Sequence, residues 1–286
     1  MIKHFIFLLL LTFSLKTFAQ GPCLSGNCEN GLGKYLTSGG DLYEGYFKDG
    51  LFEGRGMVKL KSGDFIEGDW KRGLPYSGNI TFVNGDKYVG QINNFNPYGK
   101  GKLLFANGNI YVGDFANGKM MGKGFLSFKD GRKYNGDFMF NNLYGKGILN
   151  YPNGDVYTGD FIDGKAQGQG VFKAQNGIYN GTWFRDRYQG KGTFKFKSGD
   201  IYTGDWQDGY MHGQGMMMYK NGNQYIGSYI KGEKAGKGKW VNETTGIVYE
   251  GNFDRGLKNG EGLITYKDGT KVKGIFKDDK MLNRLD

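Results

Sequence analysis

From residue 43 onward apolar and polar positions alternate with period two, and glycine interrupts the alternation at fixed places. Tyr43-Glu44-Gly45-Tyr46-Phe47 returns as Ile66-Glu67-Gly68-Asp69-Trp70, then from Tyr88, Tyr111, Tyr134, Tyr157, Tyr179, Tyr202, Tyr225 and Tyr249, at steps of 22 to 24 residues. A degenerate copy starts at Val272, with Gly274 and Phe276, and a half copy, Gly31-Leu32-Gly33, precedes the first. Each unit reads Tyr-x-Gly-x-aromatic, then Gly-x-Gly-x-apolar-x-aromatic, then a turn. Tyr111, Gly113 and Phe115 share one face of a strand, and Gly122, Gly124, Leu126 and Phe128 share one face of the next. The position two after the glycine pair is apolar in every copy: Tyr35, Val58, Ile80, Leu103, Leu126, Leu149, Phe172, Phe194, Met217, Trp240 and Ile264. Period two held this long predicts strand, not helix. Asn84-Gly85, Asn107-Gly108, Asp130-Gly131, Asn153-Gly154, Asn176-Gly177, Asn221-Gly222 and Asp268-Gly269 supply positive φ for tight hairpins.

The pattern gives the glycines a mechanical reason. With Phe115 placed across from Gly122, the ring covers bare backbone, a known way to stabilise a strand glycine. The expectation is an all-β fold: an elongated, single-layer antiparallel sheet of tandem hairpins about 23 residues long. A lone hairpin is not stable, so the array must be held by neighbour stacking and end caps. Residues 278–286, with Met281, Leu282 and Leu285, are expected to close it as a short helical cap. Three copies depart from the pattern: Gly73-Leu74-Pro75-Tyr76-Ser77-Gly78 loses one glycine, Arg185-Asp186-Arg187 replaces a turn glycine, and Asn242-Glu243-Thr244-Thr245 runs long. Strand register is open at each.

Tyr-x-Gly-x-(Trp/Phe)-x-x-Gly followed by Gly-x-Gly resembles the MORN repeat (membrane occupation and recognition nexus). The resemblance implies the single-layer twisted sheet just described. Some MORN arrays accompany lipid kinase or methyltransferase domains, but the repeats take up this chain and leave no stretch that reads as a catalytic domain. The organisation expected is a signal peptide at 1–19, an N-terminal cap at 20–42 with the half repeat and a disulfide, tandem repeats at 43–271, and the degenerate repeat with its cap at 272–286.

Composition agrees with the pattern. With 53 Gly, the chain would lose about 1 kcal/mol at each helix-interior glycine. With 22 Phe, 20 Tyr and 4 Trp it is too aromatic for a disordered chain. Residues 1–20 differ from the rest. Lys3 precedes an apolar run from Phe5 to Phe13, and Thr17-Phe18-Ala19 gives a small-residue cleavage site between Ala19 and Gln20, the layout of a secretory signal. An exported product in the periplasm or at the cell surface, in places membrane-associated, is expected. Cys23 and Cys28 follow directly. An even cysteine count in an exported chain favours a disulfide. Lipidation of Cys23 competes, although Gln20-Gly21-Pro22 lacks the aliphatic-then-small pattern. A metal pair is disfavoured by the shortage of further ligands. Removing Lys3 and Lys16 with the signal takes the formal net charge from +10 to +8. For an exported chain this favours anionic lipid or envelope polymer over nucleic acid.

The candidate chemistry is that of binding. Gly122-Lys123-Gly124 and Gly145-Lys146-Gly147 are not phosphate loops, because no full motif and no following helix support them. The cation between paired glycines recurs as Arg55, Lys100, Lys123, Lys146, Lys191 and Lys237, a ladder able to grip anionic headgroups. The competing reading pairs Lys123 with Asp114 and Lys146 with Asp137 across the hairpin, which neutralises the face; Lys100 then faces Gln91 and Lys191 faces Thr182. Catalysis has little support. His212 sits in an inter-strand turn, and the acids Asp69, Asp114, Asp137, Asp160 and Asp205 recur with the repeat, whereas an active site needs one unique constellation. No cofactor is expected. The candidate binding face is the aromatic ladder of Tyr88, Tyr111, Tyr134, Tyr157, Tyr179, Tyr202 and Tyr225 with Phe115, Phe138 and Phe161, which a single layer leaves partly reachable for a peptide, a second copy or a glycan. The functional expectation is an exported, non-enzymatic scaffold for protein–protein interaction or self-association in the cell envelope. Peripheral binding to anionic lipid and binding to envelope glycan are the alternatives.

Overall fold

The computed structural model describes residues 21–285. They form 24 strands, and no helix occurs among them. The chain divides into two compact units, one running to Asn107 and including Phe115–Gly118, the other comprising Gly108–Asp114 and Lys119 onward. The first contains β1 (Cys23–Gly26), β2 (Gly31–Leu36), β3 (Leu42–Lys48), β4 (Leu51–Lys59), β5 (Phe65–Lys71), β6 (Leu74–Thr81), β7 (Lys87–Asn93) and β8 (Asn96–Leu104). The residues of β9 (Ile110–Ala116) are divided between the units. The second contains β10 (Lys119–Ser127), β11 (Lys133–Met139), β12 (Asn142–Asn150), β13 (Val156–Ile162), β14 (Lys165–Ala174), β15 (Gly177–Phe184), β16 (Arg187–Phe196) and β17 (Ile201–Gln207). It continues through β18 (Tyr210–Met218), β19 (Gln224–Ile230), β20 (Glu233–Asn242), β21 (Ile247–Asp254), β22 (Leu257–Thr265), β23 (Lys271–Lys277) and β24 (Lys280–Leu285). Within each unit successive strands pair antiparallel, as the period-two pattern predicts.

Within each unit glycine pairs with glycine from strand to strand, up to β23. Gly33, Gly45, Gly56, Gly68, Gly78, Gly90 and Gly101 are successive cross-strand partners in the first unit. In the second, the run from Gly124 through Gly136, Gly147, Gly159, Gly170 and Gly181 continues to Gly274. The irregular second copy keeps this register, with Gly68 across from Gly78 and Trp70 across from Pro75.

The two glycines of each Gly-x-Gly have different causes. Gly145 has φ +60° and forms a bulge, so that Gly136 faces Gly147 but Asp137 faces Tyr144. Gly147 carries no such φ; a Cβ there would overlap the Tyr134 ring. The ring that covers the glycines is therefore the tyrosine at the start of the repeat. The second ring does not lie across from the first glycine of its own hairpin: Phe138 faces Leu143, not Gly145, and Gly122 of the preceding repeat is its partner on the other side. The bulge displaces the register beyond what alternation alone predicts.

Both hairpin turns use left-handed backbone, but differently. At Asn84-Gly85 and its equivalents only the glycine has positive φ. Two consecutive positive φ values, the signature of a type I′ turn, occur in the other turn, at Asp49-Gly50 and even at Phe140-Asn141 and Arg185-Asp186. Turn carboxylates and amides also tie one repeat to the next. Asp41 Oδ1 accepts the Lys61 N–H at 2.8 Å, Asp86 Oδ1 that of Ala106 at 2.8 Å, and Asp200 Oδ1 that of Lys220 at 2.9 Å.

At the N-terminal end Cys23 and Cys28 lie at disulfide distance, 2.07 Å between sulfurs, beside the half repeat in β2. At the other end the helical cap is not found: Lys280–Leu285 is a strand paired with β23. With Gly274 facing Arg284, it extends the ladder by one more strand. The signal segment and its Ala19–Gln20 cleavage site lie outside the described residues.

Candidate functional site

The inner face is set by the tyrosine ladder. Tyr134 lies flat across Gly136 and Gly147, and its hydroxyl donates to the Asp137 carbonyl at 3.0 Å. Its ring meets Phe138 of its own repeat at 5.2 Å and Phe161 of the next at 5.0 Å, both nearly perpendicular. Tyr157 repeats the arrangement with Phe161 and Trp183, and Tyr225 with Tyr229 and Phe253. Edge-to-face contacts of this kind run from repeat to repeat and favour the array by about 0.5–1.5 kcal/mol each beyond burial.

This packing corrects the binding-face expectation. Tyr88, Tyr111, Tyr134, Tyr157, Tyr179, Tyr202 and Tyr225 are at most 2% exposed, and Phe115, Phe138 and Phe161 are equally buried. They form the core. No second layer is needed, because the small glycines let each ring lie down on the sheet and the neighbouring repeats cover its edges. A peptide, a glycan or a second copy cannot reach these rings as a row. Burial also pushes the phenols up, to about 12 for Tyr88, Tyr225 and Tyr249 and beyond that for Tyr134, Tyr157 and Tyr202, where carboxylates add to the effect.

Position 52 and its equivalents, directly across from the second ring of each hairpin, hold the residue that fills the inner face: Phe52 across from Phe47, Leu143 from Phe138, Tyr188 from Trp183, Met211 from Trp206. Two later copies carry lysine there. Lys234 Nζ lies 4.2 Å from the Trp240 ring centre and 5.1 Å from that of Tyr225, and Lys258 Nζ lies 5.0 Å from that of Tyr249. Burial pushes Lys234 down to about 8, against the attraction of the ring faces for its charge.

The outer face carries two rows of side chains flanking the glycine line. One row holds the basic ladder, and the structure moves each partner by one strand. Lys123 pairs with Asp137, Lys146 with Asp160 and Lys191 with Asp205, at 2.5–2.6 Å, and Arg55 with Asp69 at 3.6 Å. The expected partner of Lys123, Asp114, instead accepts its backbone N–H at 3.2 Å, and Asp137 does the same for Lys146 at 3.1 Å. Lys191 is thus not free. Thr182, expected across from it, faces Gln169 and accepts its side-chain amide at 3.0 Å; Gln91 faces Tyr98, not Lys100. Lys237 faces Asn252 and has no ion pair among the described residues. Hydrogen bonding from Lys191 and from the Gln214 N–H holds Asp205 below the usual carboxylate range. His212 lies within β18, across from Asp205, rather than in the turn.

The other row was not singled out by the sequence. Phe125, Asn135, Ile148, Thr158, Val171 and Asn180 are successive cross-strand partners, and Thr203, Met216 and Ile226 extend the row. Phe125, Ile148 and Ile226 are 40–46% exposed. The signal was present at the residue after the second glycine in some copies, Met57, Phe125, Ile148, Val171, Met216 and Leu263, on the strand face opposite the tyrosines; other copies carry Lys, Asn or Thr there.

Fold and surface together define a tandem-hairpin repeat protein in which all copies but those starting at Ile66 and Val272 supply a tyrosine to the core of their unit. The chain belongs to the MORN repeat family: the repeat matches at residues 43–65, 99–110, 111–131, 134–156, 157–178, 179–201, 202–224, 225–242 and 249–271. The irregular copy beginning at Ile66 falls in a gap between matches. No curated protein matched the chain. Solved structures similar to it include the wild-type TCP10 domain of CPAP from Danio rerio, at 14% identity and TM-score 0.40, covering 72% of this chain and 98% of that one. The TCP domain of SAS-4 with a proline-rich motif of Ana2 from Drosophila melanogaster is similar at 13% identity and TM-score 0.33, covering 72% and 94%. A streptogramin B lyase is similar at 15% identity and TM-score 0.15, covering 85% and 75%.

Proposed function

We propose that this protein is an exported, non-enzymatic scaffold whose outer face binds a protein partner in the cell envelope. The observation that carries the reading is the pairing of rows on that face: exposed Phe125, Ile148 and Ile226 in one, and Lys123, Lys146 and Lys191 matched to Asp137, Asp160 and Asp205 in the other. A surface made to hold anionic headgroups would leave its cations unmatched. Here Arg55, Lys123, Lys146 and Lys191 are paired within the sheet, and the apolar side chains beside them are open to a partner. The N-terminal leader and the Cys23–Cys28 pair support export. Recurrence of the acids with the repeat supports a structural rather than catalytic role for them.

The test is capture from envelope extract by the immobilised protein, beside sedimentation with phosphatidylglycerol vesicles. Retention of a specific protein at high salt, lost when Phe125, Ile148 and Ile226 are replaced by Ser, is expected. Vesicle binding that is released by salt and unaffected by those replacements would refute the reading in favour of lipid.

A further inference from the structure

A groove of about 660 Å³ lies over Gly238 and Gly251 on the outer face of the second unit, within the size range of small-ligand sites. Lys237 and Asn252, cross-strand partners, stand on one side of the glycine line. Ile226 and Leu263 belong to the row on the other side, and Ile226 is 46% exposed.

One cation in this groove is unmatched. Lys239 pairs with Glu250 at 2.9 Å and Lys273 with Glu261 at 3.2 Å, but Lys237 has no ion pair among the described residues. The cause is a change in the column of acids. Lys123 is flanked by two aspartates: Asp114 accepts its backbone N–H and Asp137 pairs with its ammonium. Lys146 stands in the same way between Asp137 and Asp160. At the equivalent places Lys237 has Ser228 and Asn252. Asn252 keeps the shape of aspartate but brings an amide. One of its two N–H groups goes to the Glu261 carbonyl at 3.3 Å, and the other makes no hydrogen bond among the described residues. An ammonium and an amide N–H thus border the place that a carboxylate fills in the earlier repeats.

The charge asked for is one anion at one point. A field of headgroups would call for a row of free cations, and the neighbouring lysines are already paired. The apolar side chains across the glycine line add a second requirement, which a protein segment meets and a small free anion does not.

We propose that the groove at Lys237 takes one aspartate or glutamate side chain of a partner protein. Its carboxylate is held by the Lys237 ammonium and the Asn252 amide, and apolar side chains next to it lie on Ile226 and Leu263. The proposal rests on the protein-scaffold reading and names the chemistry that the outer face selects. The acid missing from this repeat is supplied by the partner, in the place Asp137 takes beside Lys123.

Random linear peptides selected against the full chain provide the probe. Selected peptides should share an acidic residue, and replacing it by its amide should weaken binding about tenfold or more. Asn252→Asp gives Lys237 the internal partner that Lys146 and Lys191 already have, so the fold should be kept while binding falls by a similar factor. Lys237→Glu should also abolish binding, and should restore it for peptides whose acid is changed to Lys. Peptides that bind wild type, Asn252→Asp and Lys237→Glu alike would overturn the groove. The scaffold reading would then still stand on the partner captured from envelope extract. Selected peptides without a shared acid, or failure to select any, would overturn the groove too. So would phosphatidylglycerol vesicles that bind wild type and are released by Asn252→Asp, which would assign Lys237 to a lipid headgroup.

Discussion

Substituting the two glycines of one Gly-x-Gly separately isolates the ring-over-backbone contact. Gly147→Ala places a methyl group inside the Tyr134 ring. The ring cannot move aside freely, because it is fully buried, donates to Asp137 and touches Phe138 and Phe161. Forcing it out adds overpacking of about 1–3 kcal/mol, a lost hydrogen bond of about 1 kcal/mol and two weakened ring pairs of about 0.5–1.5 kcal/mol each. These overlap, so a net loss of about 3 kcal/mol is expected. Gly145→Ala meets a different obstacle, φ +60°, with the Asp137 carboxylate, held by Lys123 and the Lys146 N–H, 3.0 Å from the new methyl. Its cost is the left-handed penalty, about 1–2 kcal/mol. Because repeat arrays open locally, amide hydrogen exchange in β11 and β12 is the assay. Protection there should fall by about two orders of magnitude for Gly147→Ala and by about one for Gly145→Ala, and remain unchanged in β5. The control is a cycle with Tyr134→Ala. Once the ring is gone the methyl group has room, so the two changes should couple by about 2 kcal/mol. Strict additivity, or a Gly147→Ala cost below that of Gly145→Ala, would refute the assignment of the second glycine to ring cover.

Further outcomes follow from the charges and phenols. The buried tyrosines have raised pKa values in the folded chain, so the stability they contribute is complete below about pH 10 and is lost as pH rises toward the folded values; absorbance at 295 nm should show them ionising together with unfolding, not before. Lys234 is lowered to about 8, so the folded state disfavours its charge; between about pH 8 and the unfolded lysine value near 10.4 stability should rise with pH, and Lys234→Met should remove that rise in a melting series. Asp205 is lowered, so its contribution is present above the unfolded aspartate value near 3.9 and is lost as pH falls through the folded value; Asp205→Asn should flatten the acid limb of the same series. Lys191→Glu, an exposed partner of that ion pair, should cost no more than about 1 kcal/mol in chemical denaturation.

The strands, their antiparallel order and the set of rings that share one face were legible because each depends only on alternation and on a repeat that holds its length. Register was not. The bulge at Gly145 and its equivalents adds residues to one side of the hairpin, and that displacement puts Lys123 with Asp137 instead of Asp114 and Phe138 across from Leu143 instead of Gly145. Nothing in the spelling Gly-x-Gly separates a glycine needed for φ from one needed for space, so Gly145 and Gly147 look alike until the Tyr134 ring is placed. Accessibility was misread for a related reason. A single layer exposes its rings only if they stand upright, and glycine lets them lie flat.

The same distinction locates function. A residue that recurs from copy to copy is answerable to the fold, since changing it costs stability wherever it occurs; Tyr134 and Gly147 are of this kind. A residue free to differ at one copy without breaking the stack can be given over to something else. Ala166 differs by its small side chain between Leu143 and Tyr188, and Lys234 and Lys258 differ by placing charge over the ladder. Both were visible in the sequence along one column, Phe52, Pro75, Pro97, Met120, Leu143, Ala166, Tyr188, Met211, Lys234 and Lys258. They could be interpreted only when the structure showed that this column fills the inner face. In an array whose regular positions are spent on holding the sheet together, selective recognition has to come from the positions where the period fails.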